Sequence, residues 1–205
     1  MARPKVPLIS RRSVIRVGLD IVEADGVDAL TVRRIAKELD VNAASLYHYF
    51  ASKEDILTAI TRAALAEMPV PAIKEGEDWR HWFADVGIEY RAFLIERPYM
   101  TELRARGYVS RAALPAEATG MARMTEAGIP ADVQIIILDT MEAFVIGSAL
   151  MHHGRSESAR VVQTSPARRR RAETLADESF AVMLRLMIVE LTERFIPEAY
   201  EVEGA

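Results

Sequence analysis

Cysteine is absent from all 205 residues. That removes a disulfide scaffold and any thiolate metal site, and it fits a reducing compartment. The chain also lacks a glycine-rich phosphate loop, an HExxH pair and a GxSxG nucleophile elbow, so a catalytic function is not expected. A helical enzyme whose N-terminal part is purely structural finds no residue to support it. The four histidines offer little to a metal, because His152 and His153 are adjacent and project about 100° apart on a helix. No metal and no cofactor is expected. No stretch alternates apolar and polar residues for long enough to make a convincing strand, and no internal repeat is visible. An apolar signal-peptide core is missing and no apolar run is read as long enough to cross a membrane, which implies a cytoplasmic protein without a membrane partner.

What remains is the composition of a folded protein. Half of the residues are hydrophobic and 27% are charged, enough for a sizeable core and too apolar for wholesale disorder. The net charge of -4 hides a gradient. Residues 1–58 hold nine Lys or Arg against eight Asp or Glu, and residues 1–17 hold five basic side chains and no acidic one. A basic end on an acidic body turns that end toward a polyanion, although a solvated tail would show the same count.

The periodicity is helical throughout, which makes the fold class all-α. Residues 1–9, with Pro4 and Pro7, read as an arm. Ser10 caps a first helix that ends at Gly26. Thr31 caps a second, amphipathic run carrying Val32, Ile35, Ala36 and Leu39, and Asp40-Val41-Asn42 interrupts it. Asn42 caps a further helix from Ala43 to Tyr49, and Ser52 opens another that runs from about Lys53 to Met68. Two short helices joined by a tight turn, with small Ala36 at their approach, describe a helix-turn-helix whose second helix enters a DNA major groove. The turn position often held by glycine is Asp40, one of the few other residues that tolerate the left-handed conformation.

Beyond Pro69 the pattern predicts helices over about 79–97, 99–106 and 112–127, the last of them one helix or two. Two long helices follow, at about 130–153 and 169–195, separated by a polar connection over 154–167. Both long helices are apolar on more than one side. In the first, Val133, Ile137, Met141 and Phe144 form one stripe while Ile135, Leu138, Val145 and Ala149 lie on others. In the second, Phe180, Met183, Leu184, Met187, Ile188 and Leu191 form a stripe while Val182, Leu186 and Val189 spread onto a second face. Such a helix is buried on two sides, either inside one core or between its own core and the same helices of a second subunit. The two-fold arrangement is favoured, since a helix-turn-helix reads two half-sites. The Arg168–Arg171 run is read as a solvated connector ahead of the last helix rather than a second DNA contact.

The segment LTVRRIAKELDVNAASLYHYFASKEDIL at 30–57 resembles the DNA-binding domain of the tetracycline-repressor (TetR) family of transcriptional regulators. The resemblance covers roughly residues 10–60 and is most specific in Leu46-Tyr47-x-Tyr49-Phe50-x-x-Lys53. It implies an all-helical homodimer with a DNA-binding domain over 1–58 and a divergent effector-binding and dimerisation domain over 59–205. It implies, too, a repressor that leaves its operator when a small, largely apolar ligand binds. A DNA-binding activator or an architectural dimer without an effector is the alternative.

Carried onto this chain, the resemblance places Ala43, Ala44, Ser45 and His48 toward the bases. The alanines offer apolar contact, Ser45 and His48 hydrogen bonds. Tyr47 and Tyr49 are expected at phosphates through their hydroxyls, and Thr31, Arg33 and Lys53 along the phosphate backbone. The recognition helix lacks Arg, Asn and Gln, the residues that read guanine or adenine bidentately, so the operator sequence is not implied. For the ligand, the candidates are Trp82, Tyr90, Phe93, Tyr99, Met100, Met121, Met124, Met141 and Phe144, a mostly apolar set with adaptable methionines. His81, His152 and His153 are its possible polar handles.

Overall fold

The computed structural model describes residues 9–108, 114–161 and 165–195, with the side chains of 155–161, 169 and 195 left aside. Within these residues every regular element is helical: α1 (Arg11–Asp25), α2 (Val32–Glu38), α3 (Ala43–Leu46), α4 (Lys53–Leu65), α5 (Trp79–Glu96), α6 (Pro98–Ala105), α7 (Glu117–Glu126), α8 (Ala131–Val161) and α9 (Pro166–Phe195), with a 3₁₀ turn at Val27–Ala29. The all-α expectation holds. The chain forms two compact units, one from 1–67 with 97–114 and the other from 68–96 with 115–205.

In the first unit, local chemistry sets the helix starts. The Ser10 hydroxyl accepts from Ser13 N, and the Ser13 hydroxyl accepts from Ser10 N, a reciprocal cap. The Thr31 hydroxyl accepts from Arg34 N at 3.0 Å, Asn42 Oδ1 from Ala44 N at 2.9 Å, and Ser52 Oγ from Asp55 N at 3.2 Å. Val14, Ile21 and Val22 of α1, Leu30, Ile35, Leu46 and Phe50, and Ile56, Leu57 and Ile60 of α4 fill one core. Gly18 lets α1 and α4 close on each other; a methyl group there would run into the Ile60 side chain.

The segment after residue 97 returns to this unit. The helix from Trp79 stops at Glu96, just before Pro98, and Pro98 in turn occupies the first turn of α6, where its missing N–H costs nothing. Tyr99, Met100 and Leu103 of α6 are buried, and the Tyr99 hydroxyl donates to Glu23 Oε1 of α1 at 2.9 Å. Arg106 reaches Asp28 at 3.0 Å and also pairs with Glu102. Thr58 of α4 donates to the Tyr108 carbonyl at 2.8 Å.

The second unit packs α5 against α8 and α9. Its core combines Phe83, Val86, Tyr90 and Leu94 with Ile137, Met141 and Val145, and with Phe180, Leu184 and Ile188. Gly87 sits where a methyl group would meet Leu184 and Met141, so its small size permits the three-helix junction.

Several expected boundaries shift. Helix α4 ends at Leu65 rather than Met68. Helix α8 runs on through Gly154 to Val161, so most of the expected polar connection over 154–167 is helix. A single glycine costs a helix only about 1 kcal/mol, and the flanking turns override it. Helix α9 begins at Pro166, which places Arg168–Arg171 inside the helix rather than ahead of it. The stretch Ala131–Gly154, by length and composition alone, is apolar enough to cross a membrane, contrary to the expectation that no run is. A third of its 18-residue apolar window is buried in the protein. Residues 1–8 of the expected arm lie outside the described residues.

Candidate nucleic-acid interface

The helix-turn-helix is built from α2, a tight turn and α3. Asp40 at the turn has φ 53°, the one positive value among the described non-glycine residues, so the tolerance expected of Asp there is used. Val41 N then donates to Ala36 O at 3.0 Å, drawing the chain back across α2 at its small alanine.

The recognition element is shorter as an α-helix than expected. Only Ala43–Leu46 is α-helical, and Tyr47–Tyr49 continues as tighter turns, with Tyr47 N donating to Ala44 O and Tyr49 N to Leu46 O. Leu46 and Phe50 are both buried, at 1% and 2% exposure, and Phe50 N donates to Leu46 O at 3.1 Å. The opposite side is left to solvent: Ala44, Tyr47 and His48 are exposed, and Ala43 and Ser45 are half-buried.

The flanking candidates divide. Thr31 and Arg33 are exposed at the start of α2, and Thr31 is a cap as well, which leaves its own proton available. Lys53 is the first residue of α4 and is half-buried. Tyr49 behaves differently from Tyr47. Its hydroxyl donates to the Ile9 carbonyl at 3.2 Å, so its single proton is committed inside the protein. The Tyr49 hydroxyl is thus held within the protein, whereas Tyr47 is 57% exposed.

One residue that the pattern of the sequence did not single out holds the end of this element. Arg11, counted there only as part of a basic end, donates from Nη1 to the Tyr49 carbonyl at 2.7 Å. Its guanidinium lies 4.3 Å from the centre of the Phe50 ring, and Nη2 is 3.5 Å from Asp55. The signal that might have found it is weak: a cation one residue past a cap, 38 residues from its partner.

The ligand candidates fall into both compact units. Trp82, Tyr90, Phe93, Met124 and Met141 are buried in the second, with Met121 and Phe144 half-buried there. Trp82 Nε1 donates to the Pro71 carbonyl at 2.9 Å. Tyr99 and Met100 belong to the core of the first unit. Of the nine, Phe144 lines a described groove, about 260 Å³ in volume, together with Ser148, Ala176, Ser179, Phe180 and Met183. Arg91, 5% exposed, donates to Ser148 Oγ and to Asp177 Oδ1, each at 2.8 Å. The Phe180 ring stacks on Phe144 at 5.0 Å and carries the Arg91 guanidinium at 4.7 Å. His152 and His153 meet edge to face, 5.9 Å between ring centres.

Known proteins share this arrangement. A family model described as bacterial regulatory proteins, tetR family, matches residues 14–60, which span α1 to most of α4. The class A tetracycline repressor protein from transposon 1721 of Escherichia coli is 30% identical over 142 residues, 67% of this chain and 64% of that protein. An HTH-type transcriptional regulator of Saccharopolyspora erythraea is 28% identical over 133 residues, 60% of this chain and 56% of its own length. The chain thus spans less than two thirds of the length of these curated relatives. Among solved structures, a TetR variant from Acinetobacter baumannii AYE in complex with minocycline superposes with a TM-score of 0.74 at 21% identity, covering 92% of this chain and 99% of that one. The TetR family protein ActR of Streptomyces coelicolor, in complex with actinorhodin, gives 0.72 at 23% identity, with 95% and 99% covered.

Proposed function

The chain belongs to the tetracycline-repressor (TetR) family of transcriptional regulators, and from that premise we propose that it is a cytoplasmic, homodimeric repressor without catalytic activity. It binds double-stranded operator DNA and leaves it when a small, largely apolar ligand binds. The observation that carries this reading is the recognition element, which buries Leu46 and Phe50 while exposing Ala44, Tyr47 and His48 on one face. Bases meet Ala43, Ala44, Ser45 and His48; the phosphates meet Thr31, Arg33, Tyr47 and Lys53, with Tyr49 as their brace. DNA reading is assigned to 1–58, effector binding and dimerisation to 59–205.

The dimer is supported by apolar surface that the second unit does not use. Leu150 and Met151 of α8 are 48% and 62% exposed, and Val182, Met183 and Leu186 of α9 are 54% to 59% exposed. A second copy laying the same face against this one forms an intermolecular four-helix bundle. The same burial accounts for the apolar length of α8 without a membrane. The effector role is supported by the two solved proteins of this fold that hold minocycline and actinorhodin. Release follows when a ligand changes the spacing of the paired recognition elements away from the ~34–36 Å repeat of the major groove.

Gel-shift titration against the DNA upstream of the protein's own gene tests the reading. Salt-sensitive, sequence-dependent retardation is expected; its absence would sink the proposal.

A further inference from the structure

The recognition element cannot orient itself. Four α-helical residues and a tightened turn hold too few hydrogen bonds of their own to fix a reading angle, so that angle is set by whatever grips the two ends. The entrance is gripped by Val41 N on Ala36 O and by the Asn42 cap. The exit, Tyr49-Phe50-Ala51, is gripped from both sides. Arg11 of α1 binds the Tyr49 carbonyl and covers the Phe50 ring. Asp55 of α4 accepts from Ala51 N at 3.1 Å and lies 3.5 Å from the same Arg11. The Tyr49 hydroxyl closes the loop on Ile9, beside Arg11.

We propose that Arg11 is a positioning residue for DNA reading: it locks the exit of the recognition element between α1 and α4 and makes no phosphate contact. The inference rests on the DNA-binding reading above and runs against the charge pattern, which groups Arg11 with Arg12 and Arg16 as one basic end. Arg12 and Arg16 are exposed. Arg11, although its side chain is 52% exposed, lays its guanidinium against a carbonyl, a ring face and a carboxylate. A guanidinium serves all three at once because it is a flat fork with a stacking face; an ammonium is a point donor and does not.

The test measures affinity of the full-length protein for the DNA fragment it retards, over a series of salt concentrations. A phosphate contact contributes about 0.9 to the slope of log K against log salt for each subunit. Arg11→Ala is expected to weaken binding tenfold or more with the wild-type slope retained. A slope lowered by about one per subunit overturns the proposal. Arg11→Lys, which keeps the charge, is expected to bind as poorly as Arg11→Ala, and restored affinity overturns it. Asp55→Asn gives a sign. Removing an acidic group near DNA strengthens binding if only charge matters, whereas a weakened lock lowers affinity. Weaker binding by Asp55→Asn supports the lock, and equal or tighter binding overturns it. Thermal melts confirm that the exposed substitutions leave the fold intact. A wild-type protein that retards no DNA would instead remove the regulatory reading on which the lock rests.

Discussion

Arg91 on α5 donates to Asp177 on α9 at 2.8 Å, and the two ends of that ion pair live in different solvents. The arginine side chain is 6% exposed and the aspartate 54%. Arg91 also binds Ser148 of α8, so one guanidinium ties α5, α8 and α9 together. The asymmetry predicts unequal mutants. Asp177→Ala strands a buried cation and is expected to cost about 2 kcal/mol, far more than an exposed residue ordinarily does. Arg91→Met removes the charge together with its need for partners and is expected to be near neutral, because an apolar side chain of similar length fills the space. Urea denaturation of both variants gives the ordering, and a larger loss for Arg91→Met would contradict it.

Gly18 and Ile60 form a second tightly defined pair, between α1 and α4. Gly18→Ala forces the Ile60 side chain to move and is expected to cost about 1–3 kcal/mol. Ile60→Val costs something by itself but relieves part of that clash. The double variant is therefore expected to be more stable than the sum of the two single losses, measured as a coupling free energy in a double-mutant cycle.

Tyr99 provides a pH dependence. Burial first, and then the hydrogen bond it donates to Glu23, raise its phenol well above the ordinary range. A raised pKa in the folded state favours the protonated group there. Its stabilisation is complete below the unfolded value of about 10 and drains away as pH rises beyond it. Denaturant midpoints are expected to hold up to about pH 10 and then fall, and Tyr99→Phe is expected to flatten the part of that fall due to this residue. Absorbance titration of the native protein beside Tyr99→Phe checks this directly, with the variant expected to lack one late-ionising phenol.

The exposed apolar face of α8 and α9 carries the dimer proposal to a simple measurement. Leu186→Glu places a charge in the middle of that face, where the side chain is 59% exposed in the single chain. The single chain tolerates it, so melting of the isolated subunit changes little. Light scattering is expected to report a dimer for the wild type and a monomer for the variant, with DNA affinity reduced along with it, because one recognition element engages one half-site.

The parts legible in the sequence are those decided within a few residues. Ser10, Thr31, Asn42 and Ser52 each cap the helix they precede, and Asp40 takes the left-handed turn, because capping and turn chemistry are local. Distance along the chain hides the rest. Nothing in the sequence singles out Gly18 until Ile60, 42 positions away, is brought against it. Arg11 reads as free charge until Tyr49 and Asp55 arrive. Tyr99 and Met100 share the apolar-aromatic character of Trp82 and Met141, and composition cannot tell that they fill another core. The Arg168–Arg171 run looks like a connector because charge is common there, although a helix end exposed on several sides accommodates it equally well.

The return of 97–114 to the first compact unit has a bearing on how such a chain can be cut and recombined. Its DNA-reading part is not a detachable N-terminal module. A fragment ending at residue 67 lacks the buried Tyr99, Met100 and Leu103 and the tie from Thr58 to Tyr108. A hybrid made by exchanging residues 1–67 with a relative would set a foreign α1 and α4 against a resident α6. Inheritance of operator preference and inheritance of α6 are in this sense linked, and a working chimera must carry two pieces of chain rather than one.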